Sequence, residues 1–224
     1  MTFPITGTSP IDPKEGITVG RKHGGLGIMW NKNLTTANPI NYEAHWIQGL
    51  NITNNNKSIL VLNVYFPYQC NANVDKYIEC LGKLESILRG CDNEVIYIVG
   101  DFNANLVRDS NNSTSLFGNY LTQFTQDNQY IISDHTMLPL SSYTYTSHAW
   151  NTTTWIDHCV TTKAGHECIN EIDILYNFVT SDHKPMRISV NYSNIKEKIN
   201  INTKTHIKYI GLVQIKINYM LIKY

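Results

Sequence analysis

A chain of 224 residues has room for one domain with a substantial core. A hydrophobic share of 42 % with 16 % charged residues excludes a disordered or membrane-embedded chain and leaves a globular protein. The formal charge is zero, but residues 195–224 hold six lysines and one acid, a net of +5, so residues 1–194 carry −5 and offer no basic excess of the kind nucleic-acid binders show.

In chain order, residues 1–25 are rich in Gly and Pro without an apolar period and read as a loop-like N-terminal segment. Leu26–Trp30 reads as a short strand and Ala44–Leu50 as a second. Gly49 with the Asn-rich run Asn51–Asn56 predicts a hairpin turn into a third strand, Ser58–Phe66, closed by Pro67. Over residues 73–90 the period changes: Val74, Tyr77, Ile78, Leu81, Leu84, Ile87 and Leu88 form the stripe of an amphipathic helix that Gly90 ends. A buried strand follows at Val95–Val99, then a shorter helix around Phe117, Tyr120, Leu121 and Phe124. Further strands are expected at Tyr143–Thr146, Thr154–Val160, Ile169–Leu175 and Pro185–Tyr192. Many strands with two convincing helices predict two packed sheets with helices outside. The expected organisation is the N-terminal segment 1–25, a domain over 26–194 and a Lys/Ile-rich tail over 195–224.

The five cysteines are odd in number and form no C-x-x-C pair, so neither a disulfide framework nor a zinc knuckle is indicated. Residues 1–7 show no basic and apolar regions of a signal peptide, and no apolar run in the tail reaches the length of a membrane helix. The expectation is an intracellular, reduced protein without a membrane partner.

Candidate chemistry collects at strand ends. The Val95–Val99 run stops at Gly100 and delivers Asp101 and Asn103, a carboxylate and an amide on a rigid support. Tyr65 closes the third strand with a phenol. Asp157, in Trp155-Ile-Asp-His158, lies within a β-run, where a charge needs a partner. Asp182 and His183, in Ser181-Asp-His-Lys-Pro185, stand on a turn before the last strand, and a histidine held by a carboxylate suits binding or protonating a phosphate. Taken singly, Gly-Asp-x-Asn is turn chemistry, Tyr65 and Trp155 are core residues and the histidines are loop residues. Four such sites at successive strand ends form a pattern.

These residues resemble a known family. Tyr65 in Val-Tyr-Phe-Pro, Gly100-Asp-Phe-Asn-Ala104, Trp155-Ile-Asp-His158 and Ser181-Asp-His183 match, in order and spacing, the endonuclease/exonuclease/phosphatase superfamily with its DNase-I-like fold. Gly7-Thr-Ser-Pro-Ile-Asp-Pro13, Val19-Gly-Arg21 and Gly24-Gly-Leu-Gly-Ile-Met-Trp30 are most similar to the apurinic/apyrimidinic-type endonuclease domain of non-LTR, LINE-like retrotransposons. The resemblance implies an α/β fold, a four-layer α/β/β/α sandwich of two mixed β-sheets. It implies metal-dependent phosphodiester hydrolysis of DNA with Mg²⁺ or Mn²⁺.

By the same resemblance Asp101 activates or positions the attacking water and Asn103 holds it or a phosphate oxygen. His183, oriented by Asp157, contacts the scissile phosphate, Tyr65 hydrogen-bonds it, and Asp182 assists at the metal. Family members begin with a strand bearing an Asn and a Gln-Glu segment whose Glu is the main metal ligand. Neither occurs here, and Glu15 stands in the loop-like Pro13-Lys-Glu-Gly16. The expectation is therefore a truncated domain lacking the first strands and helix, a weakly bound metal if any, and impaired activity. The alternatives are a non-catalytic remnant or nucleic-acid-binding module, and another phosphoesterase of the superfamily. An intracellular location, the nucleus included, goes with the DNA reading.

Overall fold

The computed structural model describes residues 4–8, 25–31, 36–54, 57–107, 114–178 and 181–191. Two apolar runs set its frame. Strands β5 (Lys57–Tyr65) and β6 (Val95–Asp101) pair in parallel from Ile59↔Val95 to Tyr65↔Asp101. Every residue of β6 is buried, as a strand covered on both faces must be. The connection between them carries α1 (Val74–Arg89), which places it against the sheet they form.

Around this pair stand β3 (Ala37–Asn41), β4 (Ile47–Asn54), β10 (Asp157–Thr161) and β7 (Ile131–Ile132), giving a six-stranded mixed sheet in the order β3-β4-β5-β6-β10-β7. One face, with Leu60, Leu62, Ile96 and Ile98, packs against Tyr77, Leu81, Leu84 and Leu88 of α1 and Phe117 and Leu121 of α2 (Leu116–Asp127). Helix α1 ends on Gly90, and α2 starts on Ser115, whose Oγ accepts the Gly118 N–H at 2.9 Å.

The opposite face, with Ile59, Val61, Val95, Tyr97 and Val99, packs against Ile172, Met186, Ile188 and Val190 of the antiparallel ribbon β11 (Ile169–Ile174)/β12 (Met186–Val190). A second ribbon, β1 (Ile5–Thr8)/β2 (Leu26–Met29), packs Ile28 against this cluster and is tied to the sheet where Asn63 Nδ2 donates to Gly27 O at 3.2 Å. The protein is thus a layered α/β sandwich. Among the described residues its second β-layer is two antiparallel ribbons rather than one mixed sheet, and both long helices lie on the same side. Short elements complete it: α3 (Ser133–Met137), the hairpin β8 (Tyr145–Ser147)/β9 (Thr152–Thr154), and α4 (Lys163–Glu167). No described helix is long and apolar enough to cross a membrane.

Most predicted elements are present within a residue or two. Four differ. Ile5–Thr8, inside the stretch read as loop, is a strand because β2 supplies its hydrogen-bond partners; residues 9–24 lie outside the described residues. Strand β3 carries no strand signal in the sequence because Pro39 interrupts it, and an edge strand tolerates that proline. The strand expected at Ala44–Leu50 starts at Ile47 and runs to Asn54, with Asn54 paired to Lys57, so most of the Asn-rich run is ladder rather than turn. The strand expected at Thr154–Val160 is two: β9 ends at Thr154 and β10 starts at Asp157. The tail 195–224 lies outside the described residues.

Candidate active site

The register of the sheet brings three of the expected residues into one row. Tyr65 pairs with Asp101 across β5–β6, and Asp157 pairs with Asp101 across β6–β10. The close approach depends on Gly100, whose φ of +147° and spacing exclude a side chain: a Cβ there would lie 2.0 Å from Val64 O.

His183 arrives from the segment before β12. Lys184 N–H donates to Thr144 O at 2.6 Å, Thr146 N–H to Asp182 O at 2.9 Å, and His183 N–H to Ser181 Oγ at 3.1 Å. The ring is thereby aimed at the row. Its Nδ1 lies 3.0 Å from Asp157 Oδ2 and 3.2 Å from Oδ1, and its Nε2 lies 3.9 Å from Asp101 Oδ2, an ion-pair distance rather than a hydrogen bond. Side-chain exposure is 16 % for His183, 8 % for Asp101 and 6 % for Asp157.

Asn103 has a left-handed backbone (φ +50°), its N–H donates to Asp101 Oδ1 at 2.9 Å, and its Nδ2 donates to Phe66 O at 2.9 Å. One N–H of the side-chain amide is therefore used at the end of β5, and its second N–H and Oδ1 are left for a ligand. Asp182 lies beside the cluster: its Oδ1 accepts from Ser181 Oγ at 3.3 Å, and its charge helps raise the pKa of His183.

Two supports carried no signal in the sequence. Thr144 is fully buried, and its Oγ1 accepts the N–H groups of Ile156 (3.1 Å) and Asp157 (3.0 Å), which fixes the start of β10. The Tyr145 ring meets the His183 ring edge-on at 5.0 Å. Both sit in the Tyr143–Thr146 run, which reads as a strand but singles out neither side chain. Trp155 is core, as expected, and its ring packs at a tilt against that of His135.

The charges oppose one another. Burial, then the charge of Asp157, pushes Asp101 up to about 8. Burial works to lower the His183 pKa, but the hydrogen bond and charge of Asp157, with Asp101 behind it, lift it to about 9. At neutral pH the imidazole carries its proton and Asp101 keeps its own, because ionising it would set a second buried charge against Asp157. One ligand atom from each of Asp101, Asp157 and His183 lies within 4.8 Å of the others. Two buried, mutually repelling carboxylates form an oxygen-rich pocket that fits a hard divalent cation. That group contains no glutamate, and Asp182 stands outside it.

A layered α/β sandwich with carboxylates, an imidazole and a phenol gathered at adjoining strand ends has the form of a phosphoesterase of the DNase-I-like superfamily. A family model described as endonuclease-reverse transcriptase matches residues 59–187, more than half of the chain and all six of the expected site residues. The chain belongs to that family. Among solved structures it is similar to the endonuclease domain of TRAS1, a telomere-specific non-LTR retrotransposon, at 14 % identity and a TM-score of 0.60 over 82 % of this chain and 78 % of that one. It is also similar to an endonuclease/exonuclease/phosphatase family protein from Leptotrichia buccalis (12 % identity, TM-score 0.58, 85 % and 72 % covered). A third is the 3′ phosphatase NExo from Neisseria bound to product DNA hairpin (13 % identity, TM-score 0.54, 67 % and 66 % covered). At these identities the likeness is one of fold. No curated protein matches the sequence.

Proposed function

We propose that this chain hydrolyses phosphodiester bonds of DNA, with a divalent cation (Mg²⁺ or Mn²⁺) that it holds weakly. The observation that carries the reading is the convergence of Asp101, Asp157 and His183 within 4.8 Å, from three separate parts of the chain, as one largely buried cluster. A cation held there, beside the His183 imidazolium, would offset the charge of an anionic substrate and of a nucleophile that is itself becoming anionic.

The geometry supports the following division of labour. Asp101 Oδ1 is occupied by the Asn103 N–H, so Oδ2, which faces His183, is the atom that orients the attacking water and accepts its proton once Asp101 is ionised, as a bound cation or a pH above about 8 would make it. Asp157 fixes the tautomer and direction of His183, whose Nε2–H is left to donate to a phosphate oxygen. Tyr65, at the end of the row, adds a phenolic donor, and the Asn103 side-chain amide holds the water through Oδ1 or a phosphate oxygen through its second N–H. Asp101 and Asp157 would hold the cation, with the charge of Asp182 adjoining. When bound, it supplies Lewis-acid stabilisation of the phosphate charge. Two carboxylates without a third make a poor site for such an ion, which supports low affinity and slow turnover. A DNA substrate goes with an intracellular location, the nucleus included.

The test is nicking of supercoiled plasmid in Mg²⁺ and Mn²⁺, with a chelator control, and release of phosphate from a 3′-phosphorylated oligonucleotide as comparator. Slow, metal-dependent nicking lost in Asp101→Ala supports the reading. Release of terminal phosphate without nicking would move it to a phosphomonoesterase of the same superfamily.

A further inference from the structure

Behind the site lies a buried ion pair that none of the roles above uses. Asp134, in α3, and His158, the residue after Asp157 in β10, both have zero exposure. His158 Nδ1 lies 2.8 Å from Asp134 Oδ2, and its Nε2 lies 2.7 Å from Ala104 O. Asp134 Oδ1 accepts the Cys159 N–H at 2.8 Å. Both ring nitrogens face oxygens that only accept, so both donate. A buried ion pair adds little net stability compared with well-packed apolar side chains. What it supplies here is a fixed donor at one particular carbonyl.

That carbonyl ends the turn that carries the site. The turn begins at Asp101, whose C=O accepts the Phe66 N–H at 2.8 Å, and Phe102 N–H donates to Ile156 O at 3.0 Å. In the middle, Asn103 takes its left-handed conformation. At the end, Ala104 is buried, and His158 is the side chain that satisfies its C=O. Because His158 adjoins Asp157, the same bond joins the strand of one catalytic carboxylate to the turn of the other.

We propose that the Asp134–His158 pair is a positioning clamp for the Asp101–Ala104 turn: by holding Ala104 O it sets the conformation of Asn103 and the placing of Asp101 against Asp157 and His183. The pair touches no substrate and acts through the turn. Its catalytic consequence rests on the phosphodiesterase reading above; the geometric part does not.

Two double variants of the full chain separate the clamp from simple stability. Both remove the buried charges. Asp134→Asn/His158→Gln keeps an N–H donor for Ala104 O, whereas Asp134→Asn/His158→Phe keeps a ring beside Phe102 and Trp155 and removes the donor. The readouts are the backbone amide shifts of Phe102 to Asn105, and kcat and KM for DNA nicking in Mn²⁺ below the melting transition. The clamp predicts near-native shifts in the Gln variant. In the Phe variant it predicts displaced shifts at Asn103 and Ala104, and a kcat lower by about 10- to 100-fold than that of the Gln variant at unchanged KM. A pair that only stabilises the core lowers both melting temperatures alike and leaves no such difference; equal shifts and equal kcat overturn the proposal. If the wild-type chain nicks no DNA, the nuclease reading fails and the shifts alone decide the clamp. Should the Phe variant not fold, the wild-type chain still decides it: an exchange-protected His158 Nε2–H supports the clamp, and a freely exchanging one overturns it.

Discussion

Asp157 stands directly across the antiparallel ladder from Asp101, with both carboxylates buried and the His183 ring facing both. Like charges directly opposite in a sheet destabilise it. The pocket therefore holds electrostatic strain that a substituent, a proton or a metal ion relieves, and each route gives a measurement.

Removing one charge stabilises the fold. Asp101→Asn keeps an oxygen for the Asn103 N–H and ends the repulsion. It is expected to raise stability in chelator at pH 8 by about 1 kcal/mol, seen as a melting temperature higher by about 2–4 °C. The same substitution abolishes nicking.

The pH dependence has a definite sign. Asp101 has a folded pKa near 8 against an ordinary 3.8, so the folded state holds a proton that the unfolded chain releases. Its contribution to stability is present below 3.8 and lost as the pH rises through about 8. His183, lifted from 6.5 to about 9, acts in the same direction at higher pH. In chelator, the gap in melting temperature between Asp101→Asn and the wild-type chain should widen from pH 5 to pH 8, measured by scanning calorimetry.

A divalent cation should act as the proton does. Titrating Mn²⁺ at pH 8 is expected to raise the melting temperature, with about 1.4 kcal/mol gained when the free ion stands tenfold above its Kd. Asp157→Asn should remove most of this effect, and Mg²⁺ in place of Mn²⁺ should need a higher concentration.

Thr144 is expected to matter more than an ordinary buried threonine. Thr144→Val leaves the N–H groups of Ile156 and Asp157 without their acceptor, at about 1–3 kcal/mol for each buried donor left unpaired. Thr144→Ser restores the acceptor. Urea melts of the two variants should separate, with nicking low in the first and recovered in the second.

Gly100→Ala should be among the most damaging single changes. The added Cβ would fall 2.0 Å from Val64 O at a φ of +147°, which forces β5 and β6 apart where the site is built. The expected loss is about 4 kcal/mol or more, against small effects of the same change at the open position Gly82.

How much of this was legible beforehand depends on how local the signal is. Val95–Val99 and the stripe of residues 73–90 are runs with a clear period, and they place the central strand and α1 almost to the residue. Tyr65, Asp101, Asp157 and His183 were recognisable because each follows or opens such a run. Their meeting is a matter of register, which joins residues as far apart as Tyr65 and Asp157 and leaves no trace in spacing. Asp134 sits in Ser133-Asp-His135, which resembles a turn, and its partner lies 24 residues on. Thr144 is one of several hydroxyl residues in a row and is distinguished only by the strand that docks on it. Ile5–Thr8 is too short to carry a period and exists through its pairing with β2.

The most direct test of the central claim is a double-mutant cycle on Asp157 and His183, read as the single-turnover rate of plasmid nicking in Mn²⁺. If the two act as one unit in a single pocket, Asp157→Asn and His183→Gln each lower the rate by about 10²- to 10⁴-fold, and the double variant is no slower than the worse single one. Losses that multiply in the double variant, or a wild-type chain that cleaves no DNA at any Mn²⁺ concentration, would contradict it.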